Sequence, residues 1–140
     1  FSPDICNYSE KGRAKIHELQ KAINPIILQK LMEHPIQGQS TELNDNRISL
    51  YVAQRGKCAI CKEPLLLGDI EVHHITPKSS GGKDNYSNLA LVTGDVHKLI
   101  HATDPVIIQK YLDKLKHCKL NMAKLNKFRL LAGNCKLEYR

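Results

Sequence analysis

Tryptophan is absent from this 140-residue chain, and phenylalanine (2) and tyrosine (5) are few. So small a supply of flat side chains argues against a platform that stacks the bases of single-stranded nucleic acid. Long apolar runs are missing too. Stretches such as 65–67 and 89–92 fall far short of the roughly 20 residues a membrane-spanning helix needs. No signal peptide is visible, so no membrane partner is expected. The chain contains no internal repeat and no low-complexity segment. Its five cysteines, at 6, 58, 61, 118 and 135, are an odd and scattered set. The Cys58-x-x-Cys61 pair suits metal or redox chemistry better than a secreted disulfide framework, which points to the cytoplasm. A start at Phe1 rather than Met suggests a piece of a longer polypeptide.

Acidic residues are also scarce, and the shortage is local. Residues 1–97 hold eleven basic and eleven acidic side chains, whereas residues 98–140 hold ten basic and three acidic. The whole formal charge of +7 therefore sits in the C-terminal stretch. This excludes a uniformly basic tail and favours a folded body with a cationic surface for a polyanion, most commonly nucleic acid.

Hydrophobic spacing predicts a helix after Ser9 through Ile16, Leu19 and Ile23, and a second begun by the Asn24-Pro25 cap and ending near Met32. A linker follows, then a helix from Asn44 or Asp45 to Gly56. Short strands are expected over 70–75 and 89–93, joined by a loop with Gly81 and Gly82. Asp95 is expected to cap a short helix carrying His97 and His101. Asp104-Pro105 starts another helix, and a last one uses Leu120, Leu125, Phe128 and Leu131. The organisation expected is a helical segment over 1–40, a core over 41–103, and a basic helical extension over 104–140.

Four of the seven histidines fall between 73 and 101. His97 and His101 are spaced i, i+4, so both rings project from one helix face and can converge on one ion or phosphate. Around them stand Glu71-Val-His-His-Ile-Thr-Pro, Gly81-Gly-Lys-Asp-Asn-Tyr-Ser-Asn88-Leu and His97-Lys-Leu-Ile-His101. In order and spacing these segments resemble the HNH endonucleases. The flanks Glu42-Leu-Asn-Asp-Asn-Arg-Ile-Ser-Leu, Gln54-Arg-Gly-Lys-Cys-Ala-Ile-Cys and Leu125-Asn-Lys-Phe-Arg-Leu-Leu-Ala-Gly133 are similar to those of the C-terminal endonuclease region of group II intron-encoded reverse transcriptases.

The resemblance implies an α+β fold with a ββα-metal core of two short antiparallel strands and a helix, flanked by further helices. It implies a metal-dependent nuclease that hydrolyses double-stranded DNA to 3′-hydroxyl and 5′-phosphate ends, nicking one strand at an intron target site in a bacterial cell. Intron RNA and a reverse transcriptase domain would be its partners. Carried over, His73 is the first metal ligand, His74 the general base, His97 the second ligand and His101 a further ligand or phosphate contact. Asn88 orients the loop or helps to hold the site. One divalent ion is implied, Mg²⁺ or Mn²⁺, with Ni²⁺ or Zn²⁺ able to bind imidazoles. Because alternation sends adjacent strand residues to opposite faces, the strand is expected to end or bend at His73-His74, with the ion between the two rings. Glu71 is either a partner on the same strand face or an ordinary exposed glutamate.

Cys58 and Cys61 resemble half of the zinc ribbon found in many relatives. The places of the second pair are Thr93 and Val96, so a structural zinc is doubtful and two packed thiols are the expectation. Asp84 is read as a turn residue. Lys78 and Lys83 are placed near a phosphate. Lys110, Lys114, Lys124, Lys127 and Arg129 are expected on a DNA-facing surface. The competing readings are a non-catalytic nucleic-acid-binding module held by zinc or another metal, and a free-standing HNH nicking or restriction enzyme.

Overall fold

The computed structural model describes residues 24–138; the helix expected after Ser9 lies outside them. Asn24 starts the first described helix, α1 (Pro25–Glu33): its Oδ1 accepts from the Ile26 and Ile27 amides at 2.9 and 3.3 Å. Proline at the first helical position has no amide to leave unpaired.

Helix α2 (Thr41–Ala53) begins earlier than Asn44 or Asp45, because Ser40 takes the cap and accepts from the Leu43 amide at 3.0 Å. Asn44 instead closes the preceding turn, accepting from the Ile36 amide at 2.7 Å. Buried Arg47 donates to the Leu31 and His34 carbonyls. It thereby ties the end of α1 to α2 and satisfies acceptors that a helix end leaves open.

Strands β1 (Glu71–His74) and β2 (Leu89–Val92) pair antiparallel, with His73 opposite Ala90 and His74 opposite Leu89. Every residue of β2 is buried. Gln54, at the end of α2, holds the outer edge of that strand: its amide donates to the Leu91 carbonyl and its oxygen accepts from the Leu91 amide. Between the strands lie two 3₁₀ turns, Lys78–Ser80 and Tyr86–Asn88. Gly82 is needed there, since a Cβ on it would meet the Thr76 carbonyl oxygen at 1.8 Å.

Helix α3 (Gly94–His101) is capped by Thr93, whose Oγ1 accepts from the Val96 amide, and Asp95 lies in its first turn instead. A hydroxyl one residue before the helix reaches an orphan amide that Asp95, already inside the helix, does not cap. Helix α4 (Pro105–Lys114) has the expected Asp104 cap, and α5 (Met122–Leu131) is capped by Asn121. Both pack on α3. Leu125 and Phe128 join Leu91, Val92, Val96, Leu99 and Ile100 in one core. Each such side chain contributes about 2 kcal/mol by leaving water. The α+β architecture is therefore a short hairpin crossed by α3, with helices around it. No helix among the described residues is long and apolar enough to cross a membrane.

Candidate active site

The hairpin and α3 bring together three histidines that are far apart in sequence. One ring nitrogen each from His73, His97 and His101 lies within 4.8 Å of the others, and the ring centroids are 4.9–5.4 Å apart. His73 is 1% exposed and packs on Phe128, at 5.1 Å between centroids. Burial, followed by the neighbouring His97, His101 and His74, pushes its pKa down to about 3, so the ring is neutral. Both of its nitrogens are buried without a hydrogen-bond partner. An unsatisfied imidazole of this kind is costly unless something coordinates it. Burial, then the charges of His97 and Arg129, also lowers the pKa of His101.

Glu71 prepares the second ring. His97 Nδ1 donates to Glu71 Oε1 at 2.8 Å, which leaves the other nitrogen, Nε2, with its lone pair. Carboxylates hold metal-binding imidazoles in this way. Gly94 lets the helix start approach this strand: a Cβ there would lie 2.8 Å from Glu71 Oε2, and its amide donates to Asp69 at 2.8 Å. Neutral imidazole nitrogens with no competing donor suit a divalent ion, so the residues present fit the metal that the sequence implies.

His74 belongs to the opposite face. Strand β1 ends at His74, one of the two expected outcomes, but does not bend before it: pairing runs through His74, and the Ile75 amide donates to the Asn88 carbonyl at 2.8 Å. Asn88 fastens the loop to the strand end. Its Oδ1 accepts from the Thr76 amide at 2.7 Å, and its Nδ2 donates to the Thr76 and Lys83 carbonyls. This loop returns Asp84 to His74, whose Nε2 donates to Asp84 Oδ1 at 2.8 Å. The other carboxylate oxygen accepts from the Ser40 hydroxyl at 2.6 Å. Hydrogen bonds from Ser40 and His74, with Lys78 nearby, hold Asp84 below the usual carboxylate range. Asp84 is thus a partner of His74 and not a simple turn residue. Its place in the Gly-Gly-x-Asp loop was the available signal.

The basic residues divide. Lys78 Nζ lies 3.6 Å from Asp84, and Lys83 is exposed on the same loop. Lys110 and Lys114, joined by Lys98, surround the Tyr111 ring at 5.2–5.9 Å. Lys124 and Lys127 are exposed on α5. Arg129 departs from the expectation of a surface contact: it is 2% exposed. Its guanidinium donates to the carbonyls of Leu99 at 2.6 Å, Ala102 at 2.9 Å and Cys135 at 2.8 Å. It closes the C-terminal end of the helix that bears His97 and His101. Cys58 and Cys61 are buried as free thiols, 0% and 4% exposed. Thr93 and Val96, at the places of the second zinc pair, are a helix cap and a core residue.

Comparison with known proteins points to the same stretch. Residues 58–102 match the HNH endonuclease family. Over 85 residues the chain is 34% identical to the CRISPR-associated endonuclease Cas9 of Listeria innocua, an alignment covering 59% of this chain and 6% of that protein. No solved structure gives a significant match.

Proposed function

We propose that the chain, whose residues 58–102 match the HNH endonuclease family, is a metal-dependent DNA endonuclease that hydrolyses a phosphodiester to 3′-hydroxyl and 5′-phosphate ends. The observation that carries this reading is one strand end bearing two differently prepared imidazoles. His73 faces two other histidines with both nitrogens unpartnered, and His74 is held by Asp84 on the opposite face of the strand. A module that only binds nucleic acid has no use for the second arrangement.

In this reading His73, His97 and His101 hold one divalent ion, Mg²⁺ or Mn²⁺. When bound, such an ion supplies positive charge to the scissile phosphate and to the departing 3′ oxygen. The remaining work belongs to the chain. With its Nε2 proton donated to Asp84, His74 is left with Nδ1 as its acceptor. That nitrogen takes the proton of a water whose oxygen attacks phosphorus, and the bond from phosphorus to the 3′ oxygen breaks. The 3′ oxygen is protonated from solvent. Asn88 keeps the loop, and with it Asp84, in place during the reaction. Lys78, Lys83 and the exposed lysines of α4 and α5 meet the phosphate backbone around the cut.

The resemblance of the flanking segments to those of group II intron-encoded reverse transcriptases supports a finer reading. The chain nicks one strand of double-stranded DNA at an intron target, together with intron RNA and a reverse transcriptase domain of the parent protein.

Supercoiled plasmid incubated with the chain and Mg²⁺ or Mn²⁺ tests the proposal. The expected product is relaxed circle, with His74→Ala slower by about 10²–10⁴-fold and its metal binding retained. Unchanged nicking in His74→Ala removes the general-base role. DNA binding without cleavage by the unmodified chain overturns the enzyme reading.

A further inference from the structure

Three lysines from two helices gather on one tyrosine. Tyr111 is the buried residue of α4, at 8% exposure. The ammonium groups of Lys114, Lys110 and Lys98 lie 5.2, 5.6 and 5.9 Å from its ring centroid. Lys98 comes from α3 and the other two from α4, and these helices pack together. Lysine stems cover an aromatic ring in this way while the charged heads stay in water. All three side chains are exposed, so the heads are held near one another yet remain open to an approaching molecule.

Little negative charge stands against them. Asp95 Oδ1 lies 4.0 Å from Lys114 Nζ, and both side chains are about half exposed, so the pair is weak. Neither Lys98 nor Lys110 forms an ion pair among the described residues. The acids of α4 are engaged elsewhere: Asp104 accepts from the Val106 amide at 2.8 Å and Asp113 from the Gln109 side chain at 2.9 Å. Lys78, by contrast, has Asp84 at 3.6 Å. Three like charges with one shared counter-charge repel one another, and an incoming anion relieves that repulsion. The place of the cluster is informative too. Within α3, Val96, Leu99 and Ile100 are buried, whereas Lys98 and His101 are exposed and His97 is partly so. Residues three apart are neighbours on a helix surface, so Lys98 and His101 share one outer arc, about 4.5 Å apart along the axis.

We propose that Lys98, Lys110 and Lys114, set around Tyr111, form a phosphate-binding platform for the backbone of duplex DNA, and that the strand held there runs along α3 to the histidine cluster. The choice of DNA rests on the nuclease reading above. Ammonium groups meet phosphates as point charges and read no base, so the platform sets the orientation of the duplex and not the sequence it carries. Lys98, between His97 and His101 in the chain, links the platform to the site. Asp95 competes with phosphate for Lys114 and so restrains binding.

The test measures binding of a labelled DNA duplex by fluorescence anisotropy in EDTA, where no cleavage intervenes, across a range of NaCl concentrations. Lys98→Ala, Lys110→Ala and Lys114→Ala should each lower the log-log salt slope by about 1. Asp95→Asn should tighten binding roughly twofold to fivefold at low salt. Lys30→Ala, exposed on α1, should leave the slope as it is. An unchanged slope in Lys98→Ala overturns the proposal, and so does a duplex that the unmodified chain fails to bind. An equal fall in Lys30→Ala overturns it by making overall charge the cause. A slope that falls in the lysine variants with single-stranded RNA, and not with the duplex, assigns the platform to RNA and overturns it as well. Plasmid nicking is read separately: a chain that holds duplex through these lysines and never cuts it keeps the platform and sinks the nuclease reading.

Discussion

His74 Nε2 and Asp84 Oδ1 lie 2.8 Å apart, across a folded loop that Asn88 fastens to the strand end. Ser40, the cap of α2, holds the other oxygen of the same carboxylate. Strand, loop and helix therefore meet on one side chain, and that side chain fixes which nitrogen of His74 carries the proton. Asp84→Asn keeps the shape and removes the charge. The expected result is a fall in the rate of plasmid nicking of about 10-fold to 100-fold, by analogy with the loss of an orienting carboxylate at other imidazoles. Metal affinity should not change. A mutant with full activity would show Asp84 to be only a loop clasp.

The same carboxylate makes stability respond to acid. Its pKa in the folded state is lowered, first by the Ser40 hydrogen bond and then by His74, so folding is favoured by the ionised form. That contribution is complete above the unfolded value, about 3.9, and is lost as pH falls through the lowered folded value. Thermal midpoints of the unmodified chain and of Asp84→Asn should differ at pH 6 and converge in strong acid. Parallel curves throughout would mean that Asp84 adds nothing to acid stability.

Glu71 supports the histidine cluster from behind, through His97 Nδ1. Glu71→Gln should reduce Mn²⁺ affinity by about 10–100-fold, measured by calorimetry, and nicking should recover at high Mn²⁺ concentration. Direct loss of a ring in His97→Ala should be harder to rescue. If Glu71→Gln binds Mn²⁺ normally, the glutamate is an exposed neighbour without influence on the ring.

Arg129 and the lysines of its own helix should separate cleanly. Arg129→Ala strips the carbonyls of Leu99, Ala102 and Cys135 of their donor and opens a space beside the core. A loss of about 3 kcal/mol or more is expected, read from urea denaturation, and the salt dependence of DNA binding should be unaltered. Lys124→Ala and Lys127→Ala should leave stability within about 0.5 kcal/mol. Each that meets a phosphate should reduce the log-log salt slope by about 1. A stable Arg129→Ala with a reduced slope would return that residue to the DNA-facing surface.

Much of this molecule was readable from residue order alone. The caps at Asn24 and Asp104, the two short strands and the histidine pair on α3 follow from local chemistry: a side-chain oxygen beside an orphan amide, a period of two, a period of 3.6. Helical periodicity by itself paired His97 with His101, and it was the resemblance to the HNH endonucleases that joined His73 to them. Local rules misplaced two caps, because Ser40 and Asn44, like Thr93 and Asp95, are each good cap residues a few positions apart, and only the folded chain shows at which of them the helix starts. They also put Arg129 on the surface, since a cationic residue on an amphipathic helix is normally solvated. Burial there depends on α5 lying across the open carbonyls of α3, which no short segment encodes. The partnerships of Asp84 with His74, and of Cys118 with Glu63, are likewise tertiary. Side chains 10 and 55 positions apart become neighbours only when a loop closes and a helix link docks, so the sequence by itself supplied the reactive groups and the fold decided which of them touch.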